Sequence, residues 1–164
     1  MWIAPVVKRQ RAENDHRTGF TLVELVVVIL IIGVLTTVAG PEFASSLHRM
    51  RAEAAAKRIK VDLGYARQTA IAQSGPLSVS FTPASDEYSI PGLLDINQSG
   101  QSYTVVLTAS PYNASLVSAA LGGDTEVQFD RYGQPDSGGT ITVASGGYQT
   151  TVTIHPNTGK ASIP

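Results

Sequence analysis

The 164-residue sequence contains no cysteine. This absence excludes a disulfide, a thiolate metal site and a cysteine nucleophile, so packing must hold the folded part of the chain together. Charged residues are also sparse, at 15% of the chain, and they are unevenly placed. Residues 42–73 carry six basic and three acidic side chains, whereas residues 74–164 carry two and seven. The segment after residue 73 is therefore acidic, which argues against nucleic acid as its partner.

The sequence also lacks the patterns of metal and catalytic sites. No His-x-x-x-His pairing links the three histidines, which are His16, His48 and His155. Serines without the context of a nucleophile elbow include Ser46, Ser74 and Ser110. We therefore expect no enzymatic activity, no cofactor and no metal. One acidic set lacks the spacing of a calcium loop and is interpreted as a solvated face, with a calcium site as the alternative: Asp124, Glu126, Asp130 and Asp136.

The chain does contain a long apolar run near its N-terminus. Between residues 20 and 40 the only ionisable side chain is Glu24. As a helix rising about 1.5 Å per residue, this run would span about 31 Å, close to the hydrocarbon thickness of a bilayer. A carboxylate within such a helix typically costs a few kcal/mol, so Glu24 needs a partner or a function.

The run predicts a membrane-spanning helix whose acid has a function, and two plainer interpretations compete with it. One is a signal anchor with an incidental acid, and the other is a secretory signal peptide that is removed. A signal peptide normally has an apolar region of only about 7–15 residues, followed by its cleavage site. The length of the present run favours the transmembrane helix.

Six residues at the start of this run carry a specific resemblance. Gly19-Phe20-Thr21-Leu22-Val23-Glu24 resembles the type III signal sequence of type IV pilins and pseudopilins. The resemblance implies that a prepilin peptidase cleaves between Gly19 and Phe20 and that Phe20 becomes N-methylated. It also implies that Glu24 neutralises the N-terminal amine of a neighbouring subunit during filament assembly. Such a pair is physically favourable, because opposite charges attract strongly in a low-dielectric core where either charge alone is costly.

The same resemblance orients the chain in the membrane. The leader, residues 1–19, has a side-chain charge of +2, which suits retention in the cytoplasm. Basic residues also follow the apolar run closely, so charge alone does not settle the orientation. The resemblance implies a single-pass protein of the bacterial inner membrane with a cytoplasmic N-terminus and a periplasmic C-terminal domain.

Residues 42–73 are rich in good helix formers and predict that the membrane helix continues outward. Gly40 and Pro41 favour a kink, because proline removes a helical hydrogen bond, and Gly75-Pro76 should end the helix. Two apolar stripes follow this helix, one for packing the domain and one for neighbouring subunits. They are Ile59, Leu63, Ala66 and Ala70, and Phe43, Leu47, Met50 and Ala54.

After Pro76 the pattern changes to short alternating runs that are typical of strands. We predict strands at 77–81, 103–107, 125–129, 140–143 and 148–154, with shorter ones at 86–90 and 160–163. Residues 91–100 and 110–123 are predicted to be loops, and Gly146-Gly147 suggests a hairpin. The predicted fold class is α+β, a long N-terminal helix packed on an antiparallel β-sheet domain. Its parts are a cleaved leader (1–19), a transmembrane helix (20–40), a helical extension (41–75) and a β-rich domain (76–164).

Three further segments resemble minor pseudopilins of the GspH/FimT type. They are Leu63 to Ile71, Phe129 to Pro135 and Ile154 to Ala161, which is IHPNTGKA. This resemblance implies a structural subunit of a type II secretion or type IV pilus filament, placed in the shaft or at the tip. It implies as partners other pilins, the prepilin peptidase, an inner-membrane assembly platform, membrane lipid and secreted substrates.

Two alternatives of another class remain open. A DNA-uptake minor pilin would use the basic helical residues, and a membrane-anchored enzyme would need a cluster of titratable residues in one cavity. The basic segment is interpreted instead as charge at the membrane surface and at subunit interfaces.

Overall fold

The computed structural model of the chain describes residues 19–95 and 100–164. Within these ranges one long helix precedes eight strands. The helix α1 spans Leu22–Gln73, and the strands are β1 (Leu77–Thr82), β2 (Glu87–Leu94), β3 (Ser102–Val106), β4 (Ser115–Leu121), β5 (Glu126–Phe129), β6 (Gly139–Ser145), β7 (Tyr148–Ile154) and β8 (Ala161–Ser162). The predicted α+β fold class, a long helix packed on antiparallel sheet, is confirmed. Apart from Gly19, the predicted leader lies outside the described residues.

The chain divides into two compact units between Ala39 and Gly40. The described part of the first unit is the apolar half of α1, and the second unit contains the rest of α1 and every strand. Helical backbone continues through positions 40 and 41. The kink at Gly40 and Pro41 stays a prediction.

The C-terminus of α1 closes with a Schellman motif. The N–H of Ser74 donates to the carbonyl of Ile71 (3.1 Å), and the N–H of Gly75 donates to the carbonyl of Ala70 (3.2 Å). Ser74 adopts the left-handed conformation that this motif requires, with φ of 52°. The helix therefore ends where Gly75-Pro76 predicts, although the left-handed residue is the serine before the glycine.

The predicted inner stripe of α1 is buried. Ile59, Ala66 and Ala70 have no exposed surface, and Leu63 is 1% exposed. The outer stripe is open to solvent, since Phe43 is 73% exposed. The first stripe is thus confirmed as the face that packs the domain, and contact of the second with neighbouring subunits stays a prediction.

The strands form two antiparallel sheets rather than one. The first has the order β3-β2-β1-β5 and the second has the order β4-β6-β7-β8. β6 and β7 form the hairpin predicted at Gly146-Gly147, with Ser145 opposite Tyr148 in register. The other predicted strands are confirmed with shifts of a few residues at their ends.

Two predicted loops are wrong in part. Ser115–Leu121 is the edge strand β4, although its sequence is rich in serine and alanine. Pairing with β6 buries Leu116 and Leu121, and this burial outweighs the weak strand propensity. β2 continues to Leu94 because the register shift after Ile90 accommodates the proline that follows it.

Both sheets contribute to one hydrophobic core with the inner face of α1. Its largest fully buried side chains include Tyr88 and Ile90 from β2, Phe129 from β5 and Ile141 from β6. The buried members of this core all lie between residues 55 and 154, so the second unit holds its core within itself.

Candidate functional site

The N-terminus of α1 begins with a side-chain cap. Thr21 Oγ1 accepts a hydrogen bond from the N–H of Glu24 at 3.2 Å, and the carbonyl of Thr21 accepts from the N–H of Leu25 at 3.1 Å. Thr21 and Glu24 occupy the two positions of a capping box. The cap fixes the backbone of Glu24 in the first helical turn, where a carboxylate is favoured by the helix dipole.

The side chain of Glu24 is exposed. Among the described residues its carboxylate makes no hydrogen bond and no ion pair. It stands on a helix whose large apolar side chains are exposed too, with Leu25 at 59% and Leu35 at 63%. The arrangement therefore presents one acid, without a partner in the described chain, on an otherwise apolar surface.

The polar side chains further along this helix are satisfied internally. Thr36 Oγ1 donates to the carbonyl of Ile32 at 2.7 Å, and Thr37 Oγ1 donates to the carbonyl of Val34 at 2.7 Å. Both hydroxyls can thus enter an apolar environment without an unmet hydrogen bond. Among the described residues, one helix, α1, is long and apolar enough to cross a membrane, and both threonines lie in its apolar half.

Gly19 and Phe20 lie ahead of the cap in non-helical backbone. Phe20 is 82% exposed, and no atom of the described residues beyond its chain neighbours lies within 4 Å of the position that a Cβ on Gly19 would take. The peptide bond between them is therefore sterically open. Its cleavage stays a prediction.

Sequence reasoning missed a polar cluster around Asp62, which is 5% exposed. Its Oδ2 accepts from Tyr88 Oη (2.6 Å), Tyr103 Oη (2.8 Å) and Arg58 Nε (3.0 Å). Arg58 Nη2 also donates to the Tyr103 hydroxyl. The signal was present in the sequence, because Asp62 lies three residues after Ile59 and four before Ala66, on the buried face of α1.

The surroundings of Tyr88 and Arg58 shift the pKa values of both side chains. Burial, reinforced by the Asp62 carboxylate, raises the pKa of Tyr88 well above its ordinary value of 10.0. The hydrogen bond with Tyr103 raises the pKa of Arg58. Asp62 therefore sits among neutral hydroxyls and one cation, and the cluster ties α1 to strands β2 and β3.

The one histidine–serine contact among the described side chains is arranged for structure rather than catalysis. Ser145 Oγ donates to the carbonyl of Asn113 at 3.0 Å, and His48 Nδ1 lies 3.3 Å from the same Oγ. Since the serine proton is committed to Asn113, the imidazole must donate to the serine rather than act as its base.

The acidic set at residues 124–136 is not gathered into a cation site in the described ranges, where no group of three or more potential ligands occurs. Asp130 Oδ1 accepts from the N–H of Tyr132 (2.8 Å) and of Gln134 (2.8 Å), and Asp136 Oδ1 accepts from the N–H of Gln128 (3.1 Å). These carboxylates organise the loop after β5.

Much of the basic charge on α1 is paired locally. Glu53 contacts Arg49 at 2.8 Å and Lys57 at 3.8 Å, and Arg58 contacts Asp62. Pairing reduces the charge available to a phosphate backbone, which argues against the DNA-uptake alternative.

Two segments of the chain match the models of known protein families. The family model of the type II transport protein GspH matches residues 55–158, and that of the prokaryotic N-terminal methylation motif matches residues 14–40. No curated protein sequence matches the chain.

Two solved structures share the fold. The minor pseudopilin EpsH from the Type 2 Secretion System of Vibrio cholerae aligns with a TM-score of 0.52 and 14% identity, over 70% of this chain and 96% of that one. The type IV minor pilin FimU of Pseudomonas aeruginosa aligns with a TM-score of 0.50 and 16% identity, over 68% and 91%. At such identities the likeness speaks for the fold alone.

The GspH match covers most of the part that contains the two sheets and their core, and the methylation motif covers the capped apolar start of α1. These findings confirm the resemblance carried by residues 19–24 and by the three C-terminal segments. The chain belongs to the GspH family of type II transport proteins.

Proposed function

We propose that this chain is a minor pseudopilin, a structural subunit that works by assembling into a filament of a type II secretion or type IV pilus machine. The observation that carries the proposal is the single carboxylate of Glu24 at the capped start of an exposed apolar helix. A helix apolar on all sides requires a membrane or other apolar helices around it. A filament core supplies the latter once the subunit leaves the bilayer.

The proposed pathway begins at the open Gly19–Phe20 bond. Cleavage there by a prepilin peptidase removes the leader and creates an amine on Phe20, which is then methylated. The subunit resides in the inner membrane with its β domain in the periplasm, until an assembly platform transfers it to the shaft or tip of the filament. Secreted substrates are candidate contacts of the β domain.

Glu24 supplies the register of assembly. Paired with the N-terminal amine of a neighbouring subunit at about 4 Å, its carboxylate gains roughly 4 kcal/mol at an effective dielectric constant of about 20. A helix displaced along the filament axis would leave both charges unpaired in an apolar core, where each costs several kcal/mol. The pair therefore selects one axial position.

Intact mass spectrometry of the membrane-extracted protein tests processing. With the cognate prepilin peptidase present, we expect the loss of residues 1–19 and one methyl group on Phe20. An uncut N-terminus, or cleavage after the apolar run, would show that the chain is an ordinary anchored or secreted protein.

The variant Glu24→Ala tests assembly. It should be cleaved normally but should lose most of its incorporation into sheared or cross-linked filaments. Glu42→Ala is the matched control, since Glu42 is an exposed acid on the same helix outside the apolar run. Equal incorporation of the two variants would refute the register role of Glu24.

A further inference from the structure

A cavity of about 340 Å³ lies in the second unit between α1 and the end of the second sheet. Four α1 side chains spaced four, four and three residues apart form one wall, and β7 forms the other. The lining residues are Arg49, Glu53, Lys57, Lys60, Tyr148, Thr150, Ile163 and Pro164. The feature belongs to neither the apolar helix nor the Asp62 cluster.

The side chains that line this cavity carry a net positive charge, and we call it the basic cavity. Glu53 lies between Arg49 and Lys57 and pairs with both, at 2.8 Å and 3.8 Å. The hydrogen bond from Arg49 lowers the pKa of Glu53 below its ordinary value, so the carboxylate stays ionised. Lys60 adds a third cation and has no ion-pair partner within the described ranges. Among the lining side chains, three cations against one carboxylate leave a net charge of +2.

The wall formed by β7 adds polar groups. Thr150 is only 8% exposed, yet its hydroxyl makes no hydrogen bond with any described residue. No buried side-chain N or O atom of the described residues lacks a partner, so this hydroxyl is open to solvent and can bond a polar group that enters the cavity. The guanidinium of Arg49 lies 5.7 Å from the centre of the Tyr148 ring, which restrains its position at the rim.

We propose that the basic cavity binds an acidic, extended polypeptide segment of a neighbouring filament subunit. The carboxylates of such a segment meet Lys57, Lys60 and Arg49, and a backbone or side-chain polar group reaches the hydroxyl of Thr150. Glu53 in the lining disfavours the closely and regularly spaced phosphates of nucleic acid, while carboxylates on the flexible side chains of a peptide can avoid it. The identity of the occupant rests on the proposed function as a filament subunit.

Charge complementarity supports this occupant. Residues 74–164 of this chain carry seven acidic and two basic side chains. A neighbouring β domain of similar composition presents the opposite charge to the basic cavity, and complementary patches favour one orientation between subunits. The cavity would then position the β domains while Glu24 positions the helices.

Fluorescence anisotropy with labelled peptides tests the ligand class. The full chain in detergent micelles at low ionic strength should bind fluorescein-labelled hexaglutamate in a saturable way and should not bind hexaglutamine. Lys60→Gln should weaken binding by roughly fivefold, the effect of one rim charge. Thr150→Val keeps the side-chain shape, and it should weaken binding about threefold without lowering the thermal midpoint. Arg51→Gln is the matched control, because Arg51 is a cation on α1 outside the cavity.

Two results of this titration would overturn the site. One is the absence of saturable hexaglutamate binding. The other is equal weakening by Arg51→Gln and Lys60→Gln, which would show that binding follows the diffuse charge of the helix. Hexaglutamate binding that depends on Lys60 and Thr150 but not on Arg51 establishes the cavity as the site.

Photo-cross-linking in cells tests the occupant, with benzoylphenylalanine replacing Tyr148, a lining residue whose replacement keeps all three cations and an aromatic ring. Cross-links that map to an acidic segment of another filament subunit confirm it, and cross-links that map elsewhere or are absent overturn it. Processing and Glu24-dependent incorporation, measured in the same cells, keep the two proposals apart. A correctly cleaved and incorporated chain without these cross-links would contradict the cavity alone, whereas failed cleavage would contradict the proposed function.

Discussion

Replacing Asp62 by alanine should strongly destabilise the second unit. The substitution removes the acceptor shared by Tyr88, Tyr103 and Arg58, all bound to one carboxylate oxygen at 2.6–3.0 Å. Tyr88 is 1% exposed, so its hydroxyl has no route to solvent. The Arg58 side chain is 41% exposed and can be rehydrated. The cost therefore falls mainly on the tyrosines and on the space left by the carboxylate.

The magnitude follows from these exposures. A buried hydroxyl left without a partner costs about 1–3 kcal/mol, and a hydrogen bond to a charged group contributes about 1.5–3 kcal/mol. Breaking a fully buried charge pair costs roughly 3–5 kcal/mol, and rehydration of Arg58 lowers that figure. We expect the free energy of unfolding to fall by about 3 kcal/mol, with a thermal midpoint lower by roughly 10 °C.

Urea titration of the full chain in micelles, followed by near-ultraviolet circular dichroism of the tyrosines, measures this loss. Asp62→Asn keeps the shape and one acceptor oxygen, so it should cost about half as much. Asp124→Ala, at an exposed aspartate, should change the free energy by less than about 0.5 kcal/mol. A loss below about 1 kcal/mol for Asp62→Ala would refute the view that this cluster ties α1 to the first sheet.

Two further predictions concern alkaline pH and close backbone packing. The raised pKa of Tyr88 keeps its hydroxyl protonated in the folded state, while the same tyrosine in the unfolded chain ionises above pH 10.0. The stability that this group confers is therefore fully present below that pH. Above it, the free energy of unfolding falls by about 1.4 kcal/mol per pH unit. Tyr88→Phe should remove this component between pH 10 and 11 in urea titrations, and identical pH profiles would contradict it. A Cβ on Gly139 would lie 2.0 Å from the carbonyl oxygen of Ala120, whereas a Cβ on Gly147 would have no atom within 4 Å. Gly139→Ala should therefore lower the free energy of unfolding by about 2 kcal/mol or more, and Gly147→Ala should lower it by less than about 1 kcal/mol. Equal urea midpoints for the two variants would show that β4 and β6 are not so closely paired.

The features that could be predicted from sequence depend on neighbours within a few residues. The apolar run, its single acid and the Gly19-Phe20 step can be recognised from consecutive residues alone. The stripe containing Ile59 and Ala66 follows from helical periodicity, and the β6–β7 hairpin follows from paired glycines between strand-like runs. In each case the chemistry of a short segment leaves few alternative structures.

The strand β4 was missed for the opposite reason. Ser115–Leu121 has little strand propensity of its own, and only the distant β6 gives its leucines a buried partner. The division into two sheets depends on the same long-range pairing. Local propensity is weak evidence wherever burial by a remote segment decides the outcome.

The sequence by itself determined the membrane-length helix, the position of its one acid and the family. Those properties follow from short stretches of consecutive residues. The tertiary structure decided which polar groups come together. Asp62 bonds Tyr88 and Tyr103, which are 26 and 41 residues away, and the α1 cations line one cavity with Thr150. Such meetings depend on how the sheets pack against α1, because burial and charge act through space and not along the chain.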